Sequence, residues 1–280
     1  IVDPDRKKMS KSKGNVVTPA DILEQHGTDA VRYWAASSRL GADAAFDPQN
    51  PTQVKIGRRL AIKVLNAAKF VLSFSVPEGA EVTHALDASM LATLDQVVRD
   101  ATAAFEAYDH ARALEITEAF FWTFCDDYLE LVKERAYNQT DVGQASAALA
   151  LRLALSTLLR LLAPVLAFAA EEAWSWFEDG SVHAAGWPEP LGTGGDPAVL
   201  HAASAALIGI RRAKTEAKAS QKTPVRRLVL RAPDATVAAL TLAEGDLRAV
   251  GRIESLELLP RADALSVETV ELAPQPETGA

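Results

Sequence analysis

The stretch IGRRLAIKVLNAAKFV, residues 56–71, carries an apolar side chain at every third or fourth residue: Ile56, Leu60, Val64, Ala67 and Val71. This spacing matches the 3.6-residue period of an α-helix, so the five side chains fall on one face. The other face of the same stretch is polar and basic. The stretch therefore predicts an amphipathic helix that buries one side against neighbouring helices.

The same helical periodicity returns further along the chain, in stretches that begin near Asp87, Asp109, Gln144 and Phe168. In the stretch from Gln144, the apolar pattern reaches Pro164, which we expect to kink or end the helix because proline lacks a backbone N–H. The connections between these stretches are short. Four or five amphipathic helices with short connections predict a helical bundle, and hence a mainly α fold.

A linker rich in proline, glycine and threonine runs from Trp187 to Gly195 and indicates a domain boundary. Beyond it the pattern alternates between helical and strand-like segments. We predict a helix over 197–219, a strand over 226–231, a helix over 235–250, and strands over 253–259 and 265–272. These segments predict a small α/β appendage, and the composition of 274–280 indicates a disordered tail.

Composition sets outer limits on the kind of protein. Of the 280 residues, 49% are hydrophobic, which is enough for buried cores. The single cysteine, Cys125, excludes an internal disulfide and fits a reducing cytoplasm. Residues 149–173 come nearest to a membrane span, but Arg152 and Arg160 interrupt them at a spacing that suits a bundle helix. We therefore expect a cytoplasmic protein without a membrane segment.

Charge is unevenly distributed. The net charge of −8 argues against binding to nucleic acid. However, three strips are strongly basic, namely 6–13, 54–72 and 211–231. Because salt screens charges beyond about 10 Å, attraction to phosphate is a local property. The strips can hold RNA, or they can be solvated helix faces.

The first strip contains the pentapeptide Lys8-Met9-Ser10-Lys11-Ser12, followed by Gly14 and Asn15. Two lysines three residues apart on a glycine-flanked loop suit a polyphosphate. Their ammonium groups can neutralise charge on a leaving pyrophosphate, while serine hydroxyls and loop amides donate hydrogen bonds. An exposed Lys/Ser loop without function is the alternative.

This pentapeptide resembles the signature loop of the class I aminoacyl-tRNA synthetases. The resemblance implies that Lys8 and Lys11 are catalytic and contact the departing phosphates of ATP. It also implies that Met9, Ser10, Ser12, Gly14 and Asn15 complete the ATP-binding loop. ATP, accompanied by Mg²⁺, would be the cofactor, and no protein-bound metal is expected.

The other family signature, His-x-Gly-His, does not occur among the five histidines. The resemblance therefore leads us to expect that this motif, the amino-acid pocket and the editing domain lie upstream of Ile1. On that expectation the chain alone does not form an aminoacyl-adenylate.

Within the family, the residues after the loop resemble the valyl members. The resemblance is carried by DAVRYWAA at 29–36 and by GRRLA at 57–61, while FCDDY at 124–128 resembles the anticodon bundle of the valyl, isoleucyl and leucyl members together. It implies a ligase that activates valine with ATP and transfers it to tRNA(Val). The isoleucyl members are the nearest rival. A non-catalytic tRNA-binding module and a purely structural helical scaffold are two further alternatives, and the intact pentapeptide argues against both.

The predicted helix around residues 56–71 carries a second candidate site. Arg59, Lys63, Asn66 and Phe70 are spaced i, i+4, i+7 and i+11, so they form a stripe about 16 Å long. Basic, amide and aromatic side chains in one line suit unpaired RNA bases. By resemblance, Lys63 and Phe70 meet anticodon bases. The alternative for Phe70 is a place in the bundle core.

Asp126, Asp127 and Glu130 could suggest a metal site, but no histidine or third ligand joins them. We interpret them as structural, through caps or ion pairs with arginines of the bundle. The resulting domain prediction has four parts. Residues 1–48 are the end of a Rossmann-type catalytic domain with stem-contact helices, 49–190 the anticodon-binding bundle, 197–273 the α/β appendage, and 274–280 the tail.

Overall fold

A computed structural model of the chain describes residues 1–3, 5–16, 18–47 and 49–274. Within these residues the elements follow in this order: a short 3₁₀ turn Lys11–Lys13, α1 Ala20–His26, α2 Thr28–Ala36, α3 Thr52–Leu72, α4 Ala85–Glu106, α5 His110–Thr123, a π-helical turn Phe124–Tyr128, α6 Leu129–Tyr137, α7 Gln144–Leu162, α8 Ala167–Trp174, α9 Pro197–Glu216, β1 Val225–Arg231, α10 Asp234–Leu242, α11 Glu244–Gly251, β2 Ile253–Leu259 and β3 Ser266–Leu272. The mainly α fold with a small α/β part is confirmed. Of the predicted tail, 275–280 lies outside the described residues.

The chain forms two compact units. The first comprises Ile1–Ser73, Asp95–Phe121 and Arg152–Pro190, and the second comprises Phe74–Leu94, Trp122–Leu151 and the chain from Leu191 onward. Helices α4, α5 and α7 contribute residues to both. The grouping reflects packing, whereas the domain boundaries predicted above follow the order of the chain, and those boundaries stay a prediction.

Helix α3 organises the first unit. It buries an apolar face, made of Val54, Leu60, Val64, Ala67, Ala68 and Val71. Gly57 lies on this face where α3 meets α2, and a Cβ atom there would come within 2.5 Å of the Tyr33 Cβ. Only glycine allows the two helices to approach so closely, so α2 is seated firmly against α3.

The appendage contains a three-stranded sheet with the order β2-β1-β3. Strand β1 is central, and it pairs parallel to β2 and antiparallel to β3. Val225, Leu228 and Leu230 of this strand are buried, as expected for a strand covered by helices. The three predicted strands are confirmed, with β1 starting one residue earlier and β3 one residue later than predicted.

Three predicted helices differ from the structure. The helix predicted over 197–219 ends at Glu216. The helix predicted over 235–250 is interrupted at Ala243, which separates α10 from α11. After the break, Asp246 is turned into the protein, where it binds Arg135. The helix predicted from Asp109 through Leu131 is continuous but contains the π-helical turn at Phe124–Tyr128.

Helix α7 ends at Leu162, two residues before Pro164, as predicted. By length and composition this helix could cross a membrane, whereas no membrane segment was predicted from the sequence. However, 67% of its most apolar window is buried within the protein. This burial is typical of a core helix.

Candidate functional site

The pentapeptide lies on a loop that is anchored at its base. Val2 accepts a hydrogen bond from the Phe46 N–H and donates one to the Ala44 carbonyl, each at 3.0 Å. Val2 also forms an antiparallel bridge with Lys8. Met9 is half-buried and packs against a small core of Ile22, Ala30, Phe46 and Val54. The loop is therefore fixed at its beginning, although most of its length is exposed.

The far end of the loop is a tight turn. The N–H of Lys13 donates to the Ser10 carbonyl at 3.1 Å, and the N–H of Gly14 donates to the Lys11 carbonyl at 3.2 Å. Gly14 has φ = 67°, a left-handed conformation that glycine adopts without strain. Lys8 and Lys11 are both exposed. The structure thus brings all the predicted loop residues together and presents two ammonium groups to solvent.

Asn15 closes the loop. Its Oδ1 accepts the Ser10 N–H at 2.9 Å, and its Nδ2 donates to the Asp3 carboxylate at 2.8 Å and to the Lys8 carbonyl at 3.4 Å. The Asn15 amide and the Lys7 N–H, which both donate to the Asp3 carboxylate, hold the pKa of Asp3 below its usual range because they favour the charged form. Sequence reasoning assigned Asn15 to the loop but did not find Asp3.

The predicted stripe lies along α3, beside the buried face of the helix. Arg59 and Asn66 are exposed, and Lys63 and Phe70 are half-buried. Phe70 is not among the fully buried side chains of α3, but it is half-buried, so the stacking role and the alternative of a core position both stay predictions. The four side chains lie along one line beside the buried face of α3. Their role in binding bases stays a prediction.

Helix α2 connects α3 to the end of the bundle. The Asp29 carboxylate accepts the N–H groups of Phe168 and Ala169, at 3.1 and 2.7 Å, and so caps the start of α8. Tyr33 donates to Glu118 Oε2 at 2.7 Å, and burial together with this carboxylate raises the pKa of Tyr33. Both partners are far away in sequence, so no local pattern indicates them.

Two members of the acidic cluster form ion pairs, although not with arginines of the bundle as predicted, since Arg211 belongs to α9 of the appendage and the other partner is a lysine. Asp127 pairs with Arg211 at 3.1 Å, and Glu130 pairs with Lys133 at 3.1 Å. Burial raises the pKa of Asp127, although Arg211 opposes the effect. Among the described residues, no group of three or more His, Cys, Asp or Glu is placed to hold a metal ion.

A buried charge cluster in the second unit was not predicted. Arg135 donates to Asp87 at 2.8 Å from both Nη atoms and to Asp246 at 3.0 Å from Nε and Nη2. Tyr128 and Ser146 also donate to Asp87, at 2.8 and 2.7 Å. The pKa of Tyr128 is raised by its burial and by the nearby carboxylate. The cluster ties α4, α6 and α11 together.

The third basic strip, 211–231, is partly neutralised within the protein. Arg211, Arg212, Arg227 and Arg231 pair with carboxylates. Lys214 is buried, and its ammonium donates to the carbonyls of Gln221 and Gly251 at 3.0 Å. Much of this charge therefore supports the appendage itself.

Comparison with protein families agrees with this combination of loop and helical bundle. Residues 87–229 match the anticodon-binding domain of tRNA ligase, and residues 1–47 match the class I tRNA synthetases of the I, L, M and V group. The first match covers half of the chain. The chain belongs to the family of tRNA ligase anticodon-binding domains.

The chain is similar over nearly its whole length to two valine–tRNA ligases. It is 65% identical to that of Leifsonia xyli subsp. xyli and 56% identical to that of Thermobifida fusca, over 99% and 98% of this chain. It spans about a third of each relative, 33% and 32%.

A solved structure shows the same fold. It is a ternary complex of Agrobacterium radiobacter K84 agnB2 LeuRS, tRNA and LeuAMS, with a TM-score of 0.51 and 18% identity. The match covers 95% of this chain and 32% of that one.

Proposed function

We propose that this chain is the part of a valine–tRNA ligase that supplies the phosphate-clamping loop and recognises tRNA(Val). One observation carries the proposal: the exposed lysines of the loop and the stripe on α3 occur in the same compact unit. The similarity to valine–tRNA ligases at up to 65% identity supports the choice of valine over isoleucine. An enzyme of this kind works in the cytoplasm.

The loop acts in amino-acid activation, in which the carboxylate of valine attacks the α-phosphate of ATP and pyrophosphate leaves. Lys8 and Lys11 neutralise the negative charge that grows on the leaving group. The Ser10 and Ser12 hydroxyls, 3.2 Å apart, provide further donors. The loop offers ammonium, hydroxyl and amide groups, which donate hydrogen bonds to phosphate oxygens. Mg²⁺ prefers carboxylate and phosphate oxygens as ligands, so it would be brought to the site by ATP.

The stripe acts in tRNA recognition. Phe70 stacks on an unpaired anticodon base, Arg59 and Lys63 hold phosphate or base edges, and the Asn66 amide reads a base edge. These four residues are proposed as the anticodon contact. The bundle around them serves as a rigid support, since α3 is fixed by Gly57 and Tyr33.

The loop is tested in a ligase assembled from the upstream part of the Leifsonia xyli enzyme and this chain. Lys11→Ala should lower the rate of valine-dependent pyrophosphate exchange by about 30- to 1,000-fold, because one transition-state charge contact is lost. Lys13→Ala is the matched control, since Lys13 lies on the same loop outside the pentapeptide, and its rate should stay near that of the parent. Equal rates for all three proteins would show that the pentapeptide is a surface loop.

Recognition is tested on the chain itself. Filter binding should show higher affinity for tRNA(Val) than for the same tRNA with a swapped anticodon. Equal affinity for the two would assign the stripe to a different role.

A further inference from the structure

Asp3 is a buried carboxylate beneath an exposed loop. It is 9% exposed, and it lies five residues before the first lysine of the pentapeptide. Its Oδ1 accepts the Lys7 N–H at 2.7 Å and its Oδ2 accepts the Asn15 amide at 2.8 Å. The Asp3 N–H donates to the Lys7 carbonyl at 2.9 Å. One residue therefore holds both the entry and the exit of the loop.

The charge of Asp3 also sets the orientation of the Asn15 side chain. An ionised carboxylate only accepts hydrogen bonds, so it must face the NH₂ group of the amide. The Asn15 Oδ1 is then turned to the Ser10 N–H, and the second proton of Nδ2 is directed at the Lys8 carbonyl. Asp3 thereby fixes the backbone at Lys8 and at Ser10 through the Asn15 side chain.

The chemistry of this arrangement keeps the lysines available. Asp3 is held by amide donors, and within the described part of the chain neither Lys8 nor Lys11 forms an ion pair with a carboxylate. Asp5, by contrast, is exposed and pairs with the Lys7 ammonium at 3.4 Å. A carboxylate that binds amides can fix the loop without drawing away the ammonium groups that the phosphates need.

We infer that Asp3, acting through Asn15, is a positioning residue for Lys8 and Lys11 in the activation step. The inference rests on the function proposed above, and it adds a residue outside the pentapeptide to the machinery of the loop. The hydrogen bond between Asp3 and Asn15, here called the latch, can be measured in the chain alone. Its loss should slow the chemical step while valine binding is retained.

The key variant is Asp3→Asn, which removes the charge and keeps the size. The new amide has one acceptor oxygen, so it cannot accept from both the Lys7 N–H and the Asn15 Nδ2. When it keeps the shorter Lys7 bond, its NH₂ group faces the Asn15 Nδ2 and the Asn15 bond is lost. In the chain itself, NMR hydrogen exchange at the Ser10 amide should become at least about tenfold faster, because a charge-assisted hydrogen bond no longer holds Asn15. In the assembled ligase, kcat for pyrophosphate exchange should fall about tenfold or more, with an unchanged KM for valine.

The double variant Asp3→Asn/Asn15→Asp separates positioning from a general loss of structure. It restores a donor facing a carboxylate, now with the charge on residue 15, which can still accept the Ser10 N–H. Ser10 protection should recover to within about threefold of the parent, since the strong hydrogen bond is re-formed. The kcat should rise above that of Asp3→Asn but stay below the parent value, because the carboxylate at position 15 cannot donate to the Lys8 carbonyl. Asp5→Asn serves as the control and should change neither quantity.

The outcomes are distinct. Unchanged Ser10 exchange in Asp3→Asn would overturn the latch. Faster exchange with unchanged kcat would overturn the positioning role, as would a double variant that recovers protection with no rise in kcat above that of Asp3→Asn. If Lys11→Ala leaves kcat intact while the Ser10 exchange behaves as expected, the proposed function of the loop fails and the latch remains a structural feature.

Discussion

Arg59 and Arg135 are the same residue type in opposite surroundings. Arg59 lies on α3 in contact with solvent, within a line of basic and amide side chains. Arg135 is 7% exposed and is enclosed by the carboxylates of Asp87 and Asp246. A guanidinium at the protein surface is within reach of RNA, whereas the guanidinium of Arg135 is enclosed inside the protein.

The contrast explains why net charge is a poor guide to this chain. A total of −8 counts Arg59 and Arg135 equally, and it counts the buried Asp87 and Asp246 with the exposed acids. The third basic strip also shows that a count of charges is a poor guide, because Arg211 and Arg231 form ion pairs with carboxylates of the same chain. Accessibility, and not the number of cations, separates a binding surface from structural support.

The contrast is tested most strongly by Arg135→Met. This change leaves two carboxylates buried without their partner, so we expect a loss of about 3–5 kcal/mol in the free energy of unfolding. Urea denaturation measures the loss. Lys133→Ala, which removes an exposed pair on the same helix, should cost less than about 1 kcal/mol. Similar losses for the two variants would mean that the buried cluster contributes no more than a surface pair.

Phe70→Ala tests the aromatic end of the stripe. If Phe70 stacks on an anticodon base, affinity for tRNA(Val) should fall by about 1–3 kcal/mol with little change in melting temperature. Leu60→Ala, on the buried face of the same helix, should instead cost about 2–5 kcal/mol of stability. A large drop in melting temperature for Phe70→Ala, with affinity intact in the folded fraction, would end the stacking hypothesis.

Lys63→Ala is expected to have the smallest effect. If Lys63 holds a phosphate, the plot of log affinity against log salt should lose about 0.7–0.9 of its slope, since one counterion fewer is released. A lysine that reads a base would leave the slope intact and change the preference among anticodon variants. Lys69→Ala is the charge-matched control, because Lys69 lies over the Trp176 ring, 5.7 Å from its centroid. An identical slope change in both variants would argue for general electrostatics over a defined contact.

The local parts of the fold were predictable from sequence. Helical periodicity located α3 and the start of α7, and alternation located β2 at its observed bounds. The pentapeptide was likewise found from its residues alone. Such features depend on neighbours a few positions away, where residue spacing translates directly into a shared face.

Features that join distant residues could not be predicted in this way. Arg135 meets Asp87 and Asp246 across 48 and 111 positions, and no periodicity links them. Asp29, which caps α8, is 140 positions away from Ala169, whose N–H it accepts. Even Asp3 and Asn15, 12 positions apart, meet only because the loop turns back at Gly14. Hydrogen-bond partners of buried polar groups are decided by the tertiary fold.

The π-helical turn at Phe124–Tyr128 has a consequence for protein engineering. The hydrogen bonds of a π-helical turn run from i to i+5, so this turn holds about one residue more than an α-helical turn, and deleting one residue within it can leave a regular α-helix whose later residues keep their direction. Arg135 lies seven positions after Tyr128. A deletion within 129–134, in the α-helical part, would instead turn its guanidinium by about 100° away from both carboxylates. A library of single-residue deletions should therefore be less tolerated within 129–134 than at the exposed Asp126 of the π-helical turn.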